Sequence, residues 1–282
     1  MKIFKIIILG LLCVSGLINA KEAPSDMQYS VQLWSVRDAV EKDFKGTLKA
    51  LAEMGFDAVE FAGNYGGMED DPMALKAFLD SIGLKASAAH VRFHEYNEVD
   101  AQKWINFFKV LDCKYLINPM DDRATNAETV EGFVKELNTL SKQLMPHGLY
   151  VGYHNHTKEF DSYKDSTFWD YIGNNTTQDV VLQLDVGWVK VAGKSPINYI
   201  KKFPGSTITT HYKAKLPQDA PASAKPFIGE DTINWPSLIT ATRKHGGTLW
   251  YTLEQEDYPD GISSLNAVKR SFTGLKAIIA KM

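Results

Sequence analysis

The feature that most limits what this chain can fold into is a rhythm. Short β-rich runs alternate with segments of helical spacing eight times across about 250 residues, the spacing of a parallel α/β sheet. The strand-like runs are 29–34, 57–63, 84–90, 114–119, 149–156, 179–187, 206–213 and 248–256. The helical segments between and after them are 43–55, 71–83, 100–112, 126–148, 166–172, 195–203, 233–247 and 263–282. Several helices carry their own start and stop signals. Asp71-Pro72 opens one and Gly83 ends it, Gly55 ends another, and Ser195-Pro196 opens a third. Eight strand–helix units in one uninterrupted stretch predict a (β/α)8 TIM barrel, a single domain spanning 27–282. The alternative is an open doubly wound sheet. No Gly-rich phosphate turn follows the first strand, as a dinucleotide-binding version of that sheet would show. The one long irregular stretch, 214–232, falls after a strand and is expected on the strand-end face.

Residues 1–20 read differently. MKIFKIIILGLLCVSGLINA has a lysine-bearing start, an apolar run and a small residue, Ala20, before a polar segment, the pattern of a secretory signal peptide. The apolar core from Ile6 to Ile18 is short beside the roughly 20 residues of a membrane span. Cys13 follows Leu12, not the small residue of a lipoprotein signal. The expectation is a periplasmic or otherwise exported protein with no stable membrane insertion after cleavage. Cleavage leaves Cys113 as the single cysteine, so no internal disulfide can form and the core must carry stability. A formal net charge of −3 gives no basic footprint for nucleic acid. Oligomeric state is not readable.

Active sites of such barrels lie at the C-terminal ends of the strands. Here those ends carry Gln32 and Trp34, Glu60, His90, Asn118, His154 with His156, Asp185, His211 with Lys213, and Glu254. Each of the last four strands ends in a metal-capable residue. Carboxylates mixed with imidazoles and no cysteine exclude a closed structural zinc site and suit one divalent ion: Mn, Mg, Co or Zn. Such an ion polarises a hydroxy-carbonyl compound, and a base must then take the neighbouring proton. The candidates for that acid/base role are Glu60, Glu159, His156 and Lys213. Aromatic residues near strand ends, Trp34 and Trp188 among them, are candidates to stack on a sugar ring.

These residues carry a resemblance. QLWSVRD (32–38), MGFDAVEFAG (54–63), GYHNHTKEF (152–160), LDVGWVKVAG (184–193), THYKAK (210–215) and LEQED (253–257) together resemble the xylose-isomerase-like barrels. That group includes ketose 3-epimerases, hydroxypyruvate isomerase, inosose dehydratase and endonuclease four. In its isomerases and epimerases one divalent metal is held by Glu, Asp, His and Glu from strands five to eight. The resemblance implies Asp185, His211 and Glu254 as three ligands. His154 stands where the epimerases have Glu and resembles a substituted ligand, with Glu159 either the true carboxylate ligand or an acid/base. His156 and Asn155 look like groups that contact substrate or back the ligands. Trp188 stands where several relatives carry a substrate-binding histidine, and Trp34, His90 and Asn118 complete the implied substrate contacts. The implied activity is isomerisation, epimerisation, or lyase or hydratase chemistry on an unphosphorylated sugar or keto-sugar, through an enediolate. Two other readings stand beside it: a non-catalytic carbohydrate-binding barrel, and an endonuclease-like phosphodiesterase, which needs more metals and ligands than the strand ends offer.

Overall fold

A computed structural model describes residues 27–93 and 101–282. The proposed signal segment, 1–20, lies outside the described residues. The eight strands are β1 (Gln28–Gln32), β2 (Ala58–Phe61), β3 (Lys85–His90), β4 (Tyr115–Asn118), β5 (Tyr150–His154), β6 (Val181–Gln183), β7 (Thr209–Tyr212) and β8 (Trp250–Leu253). They form one sheet in the order β6-β5-β4-β3-β2-β1-β8-β7, every pairing parallel. The two end strands meet through a parallel bridge between Asp185 and His211, where His211 N–H donates to Leu184 O at 2.9 Å. The sheet is therefore a (β/α)8 barrel, and its closing seam carries two of the proposed ligands.

Local chemistry sets the element ends. Asp43 and Asp71 cap helices Phe44–Met54 and Pro72–Ser81 by accepting from Gly46 N and Ala74 N. Gly55 takes the left-handed conformation (φ 96°) that stops the first of these. Gly152 sits in β5 because the backbone leaves no room for a side chain; a Cβ there would stand 2.5 Å from Val181 O. Outward residues such as Val31, Val59, Phe61, Leu116, Val151, Tyr153, Leu182 and Leu253 are buried in the hydrophobic layer that packs the helices on the barrel.

Several boundaries differ from the periodicity reading where a side chain or a proline redirects the backbone. β1 stops at Gln32, whose Oε1 accepts from Trp34 N (3.2 Å) and opens a 3-10 turn over Leu33–Val36. Ser166 and Thr167 belong to a small antiparallel hairpin with Ser162–Tyr163; the helix begins only at Phe168, capped by Thr167. The long segment 126–148 is helical over Val130–Leu144, and Pro146 continues it as a 3-10 turn. In 233–247, helix Trp235–Ala241 widens into a π turn over Thr242–Gly246. There Thr242 Oγ1 bonds the Leu238 and Ile239 carbonyls and the Tyr212 hydroxyl.

Candidate metal centre

Polar side chains from strands that are not neighbours touch one another, so they point into the barrel lumen. Gln183 on β6 reaches Glu60 on β2 at 2.9 Å, and His211 on β7 reaches the same Glu60 at 2.7 Å. Above this layer His154, Asp185, His211 and Glu254 each offer a ligand atom within 4.8 Å of the others, and all four are buried. His154 ends β5, His211 lies within β7, and Glu254 follows the last residue of β8. Asp185 follows β6 and caps helix Val186–Val191, its Oδ1 accepting from Trp188 N at 2.9 Å. That cap is why the sixth strand ends at Gln183 instead of running on through 187.

The remaining oxygen of Asp185 tests whether a cation fits. Oδ2 is buried and accepts no well-directed hydrogen bond. It faces His154 Nε2 at 3.8 Å, His211 Nδ1 at 4.0 Å and the Lys213 ammonium at 3.0 Å. The ammonium offsets its charge, but no well-directed hydrogen bond completes its shell. With the Glu254 carboxylate and two imidazoles close by, this oxygen completes a donor set that a divalent ion satisfies.

Glu60 lies under this set, fully buried. Its Oε1 accepts from Gln32 Nε2 (2.7 Å) and His211 Nε2 (2.7 Å) and lies 2.9 Å from His90 Nε2, and its Oε2 accepts from Gln183 Nε2. Burial alone would raise its pKa, but the positive charge and hydrogen bonds of His211 and His90 outweigh it and hold it at about 2. Glu60 thus backs His211, the kind of arrangement that orients a metal-ligating histidine. Burial opposes a charge on His211, yet Glu60 and Glu254 on either side raise its pKa to about 10. His154 is the reverse case. Burial, then the charges of His211, His156 and His90, keep it neutral.

Lys213 is buried, with Nζ 3.0 Å from both Asp185 Oδ2 and Glu254 Oε2 and 2.9 Å from Glu256. Burial disfavours its charge, but those three carboxylates raise its pKa above the ordinary lysine value. It is held as an ammonium donor between them. Gly187 makes room for it: a Cβ there would stand 2.6 Å from Lys213 O. Glu159, also proposed as ligand or acid/base, is not brought to the cluster. Its oxygens accept from Tyr153 Oη (2.6 Å) and His156 N (2.8 Å), tying down the turn after β5. Asn155 likewise turns away from the pocket, its Oδ1 accepting from Asp185 N and its Nδ2 donating to Asp185 O. Asn118 accepts from Met120 N and approaches Asp121, ordering its own loop.

The rim keeps the other expected groups. The His156 ring is partly exposed and 5.6 Å from Trp188, and burial followed by the Lys213 charge lowers its pKa. Trp188 also faces the Lys213 and Lys215 ammoniums at 5.0 and 4.4 Å. Trp34 is 46% exposed, with the Arg37 guanidinium 4.6 Å from its ring. His90 is the partly exposed histidine of the lumen layer and stacks on His211 at 5.4 Å. Gln183, which contacts Glu60, His90, His154 and Thr209, was not anticipated; a lone amide inside the apolar run VVLQL was its only signal.

The chain matches the xylose isomerase-like TIM barrel family over residues 48–278. No curated protein matches. Among solved structures it is similar to a sugar phosphate isomerase/epimerase from Parabacteroides distasonis ATCC 8503, at 20% identity and a TM-score of 0.70, covering 93% of this chain and 100% of that one. It is similar to the IolI protein, solved with a zinc atom, at 15% identity and a TM-score of 0.66, covering 90% and 99%. It is also similar to the probable 3-DHS dehydratase AsbF of petrobactin synthesis from Bacillus anthracis, at 13% identity and a TM-score of 0.66, covering 89% and 99%. At these identities the likeness to solved structures is one of fold. The family match spans most of the barrel, and the chain belongs to the xylose isomerase-like TIM barrel family.

Proposed function

We propose that this chain is a divalent-metal-dependent enzyme acting on an unphosphorylated sugar or keto-sugar, by isomerisation, epimerisation or elimination through an enediolate. The observation that carries the reading is Asp185 Oδ2, buried and ion-paired with Lys213 but without a well-directed hydrogen bond, among His154, His211 and Glu254 at the strand-end face. These four residues would hold the ion. Imidazole and carboxylate in equal number suit Zn, Co or Mn better than Mg, which prefers oxygen throughout. When bound, the ion supplies Lewis acidity toward a carbonyl and its neighbouring hydroxyl.

The chain's own groups supply the rest. The Lys213 ammonium is a fixed donor for an oxygen that gains negative charge. His156 at the rim offers a neutral ring to accept the proton beside the carbonyl. Trp34 and Trp188 offer flat apolar faces to a sugar ring. With histidine in place of the fifth-strand carboxylate of the epimerases, the ligand set holds one glutamate where theirs holds two. Among these reactions that asymmetry favours elimination, in line with the dehydratase among the neighbours. The signal-like segment 1–20 supports an exported enzyme and hence a substrate without phosphate.

The test is solvent deuterium incorporation. The metal-loaded protein is incubated in D2O with unphosphorylated ketoses and keto-glycosides, and exchange beside the carbonyl is followed by proton NMR. The reading expects metal-dependent exchange that Asp185→Asn abolishes. Tight metal binding with no exchange in any of these sugars favours the carbohydrate-binding barrel.

A further inference from the structure

We propose that Gln183 is a positioning residue that locks His154 as an Nε2 ligand, an amide on the sixth strand matching the histidine on the fifth. This inference rests on the metal-centre reading above and concerns a residue that is not itself a ligand.

The argument begins with the orientation of the amide. Gln183 is fully buried. Its Nε2 lies 2.9 Å from Glu60 Oε2 and 2.6 Å from Thr209 Oγ1. Both partners are oxygens, so the amide nitrogen, which only donates, is the atom that fits between them. The opposite orientation would set a carbonyl oxygen against a carboxylate oxygen in a buried layer. Gln183 Oε1 therefore faces the two histidines, 3.0 Å from His154 Nδ1 and 2.8 Å from His90 Nε2. That oxygen only accepts, so both ring nitrogens carry protons.

The consequence for His154 is geometric. With Nδ1–H committed to Gln183, the lone pair available to a metal is on Nε2, the atom that faces Asp185 Oδ2. The two residues are direct partners across the β5–β6 ladder, so the bond spans one strand spacing. Four partners on four sides leave the amide no freedom to turn. The neighbouring residue types fit this role. Glu at 183 would press a second carboxylate on Glu60. Leu would leave His154, His90, Glu60 and Thr209 each short of a partner, at the cost of unpaired buried groups. A carboxylate ligand at 154 would have no tautomer to select. Histidine does, and Gln183 selects it.

Two measurements test this. Long-range proton–nitrogen NMR of the metal-free, unsubstituted chain should show His154 with its proton on Nδ1. A proton on Nε2 would overturn the inference without any variant having to fold. Zinc titration against a competing chelator should then show Gln183→Leu binding about 10- to 100-fold more weakly than the unsubstituted chain, with both His154 tautomers populated. Equal affinity in the two proteins would overturn the inference while leaving the metal centre standing. Absence of zinc binding by the unsubstituted chain would overturn the metal-centre reading and this inference together.

Discussion

Glu60 Oε1 lies 2.7 Å from His211 Nε2, and both side chains are fully buried though they come from strands on different sides of the barrel. A carboxylate behind a histidine fixes the ring and raises its basicity toward a metal on the other nitrogen. Glu60→Gln keeps the shape but removes the charge. It should lower metal affinity by about 10- to 100-fold. An acid/base role would instead lower turnover with metal affinity unchanged, so a metal titration on this variant separates the two.

Asp185 divides its carboxylate between two tasks, capping a helix through Oδ1 and facing the cluster through Oδ2. Asp185→Asn preserves the cap and removes the charge. Metal affinity should fall by more than about 100-fold, a loss of roughly 3 kcal/mol or more, while far-ultraviolet circular dichroism stays that of the parent. Retained affinity would remove Asp185 from the ligand set.

The turn after β5 depends on Glu159, which Tyr153 Oη and His156 N both contact. Tyr153→Phe leaves one buried carboxylate oxygen without its donor. It should cost about 1–3 kcal/mol of stability in denaturant unfolding, with metal content unchanged. Loss of the metal in this variant would show that the turn, and Glu159 with it, belongs to the metal site.

Asp231 is the carboxylate to watch for pH dependence. Burial raises its pKa to about 6, although Trp235 Nε1 donates to it at 2.7 Å. The folded state therefore holds this proton more tightly than the unfolded chain does. Its contribution falls as pH rises from about 4, the unfolded carboxylate value, to about 6, and is flat above. Asp231→Asn keeps the acceptor for Trp235 and cannot ionise. It should raise stability at pH 8 by about 3 kcal/mol and make little difference at pH 4. An equal effect at both values would contradict the cause given.

The barrel was legible because its eight units repeat, and the caps at Asp71 and Ser195 and the stop at Gly55 are written in single residues. What periodicity could not show was where a polar side chain takes over from the ladder. Asp185, Thr167 and Gln32 each bond the backbone just past themselves and end or begin an element there. The site divides along the same line. His154, Asp185, His211 and Glu254 lie at strand ends, and strand-end position is readable from sequence. Whether a polar residue near them faces the pocket or supports a neighbour depends on contacts between remote strands. Asn155, Glu159 and Glu60 proved to be engaged inward, and Gln183 was overlooked, because those contacts have no sequence signature.

The central claim is that His154, Asp185, His211 and Glu254 form one divalent-metal centre. The most direct test is elemental analysis of the purified chain after incubation with zinc or manganese and gel filtration, beside His154→Ala. The account predicts one divalent ion per chain, lost in the variant. No ion in the parent chain, or an ion that the variant retains in full, would contradict it.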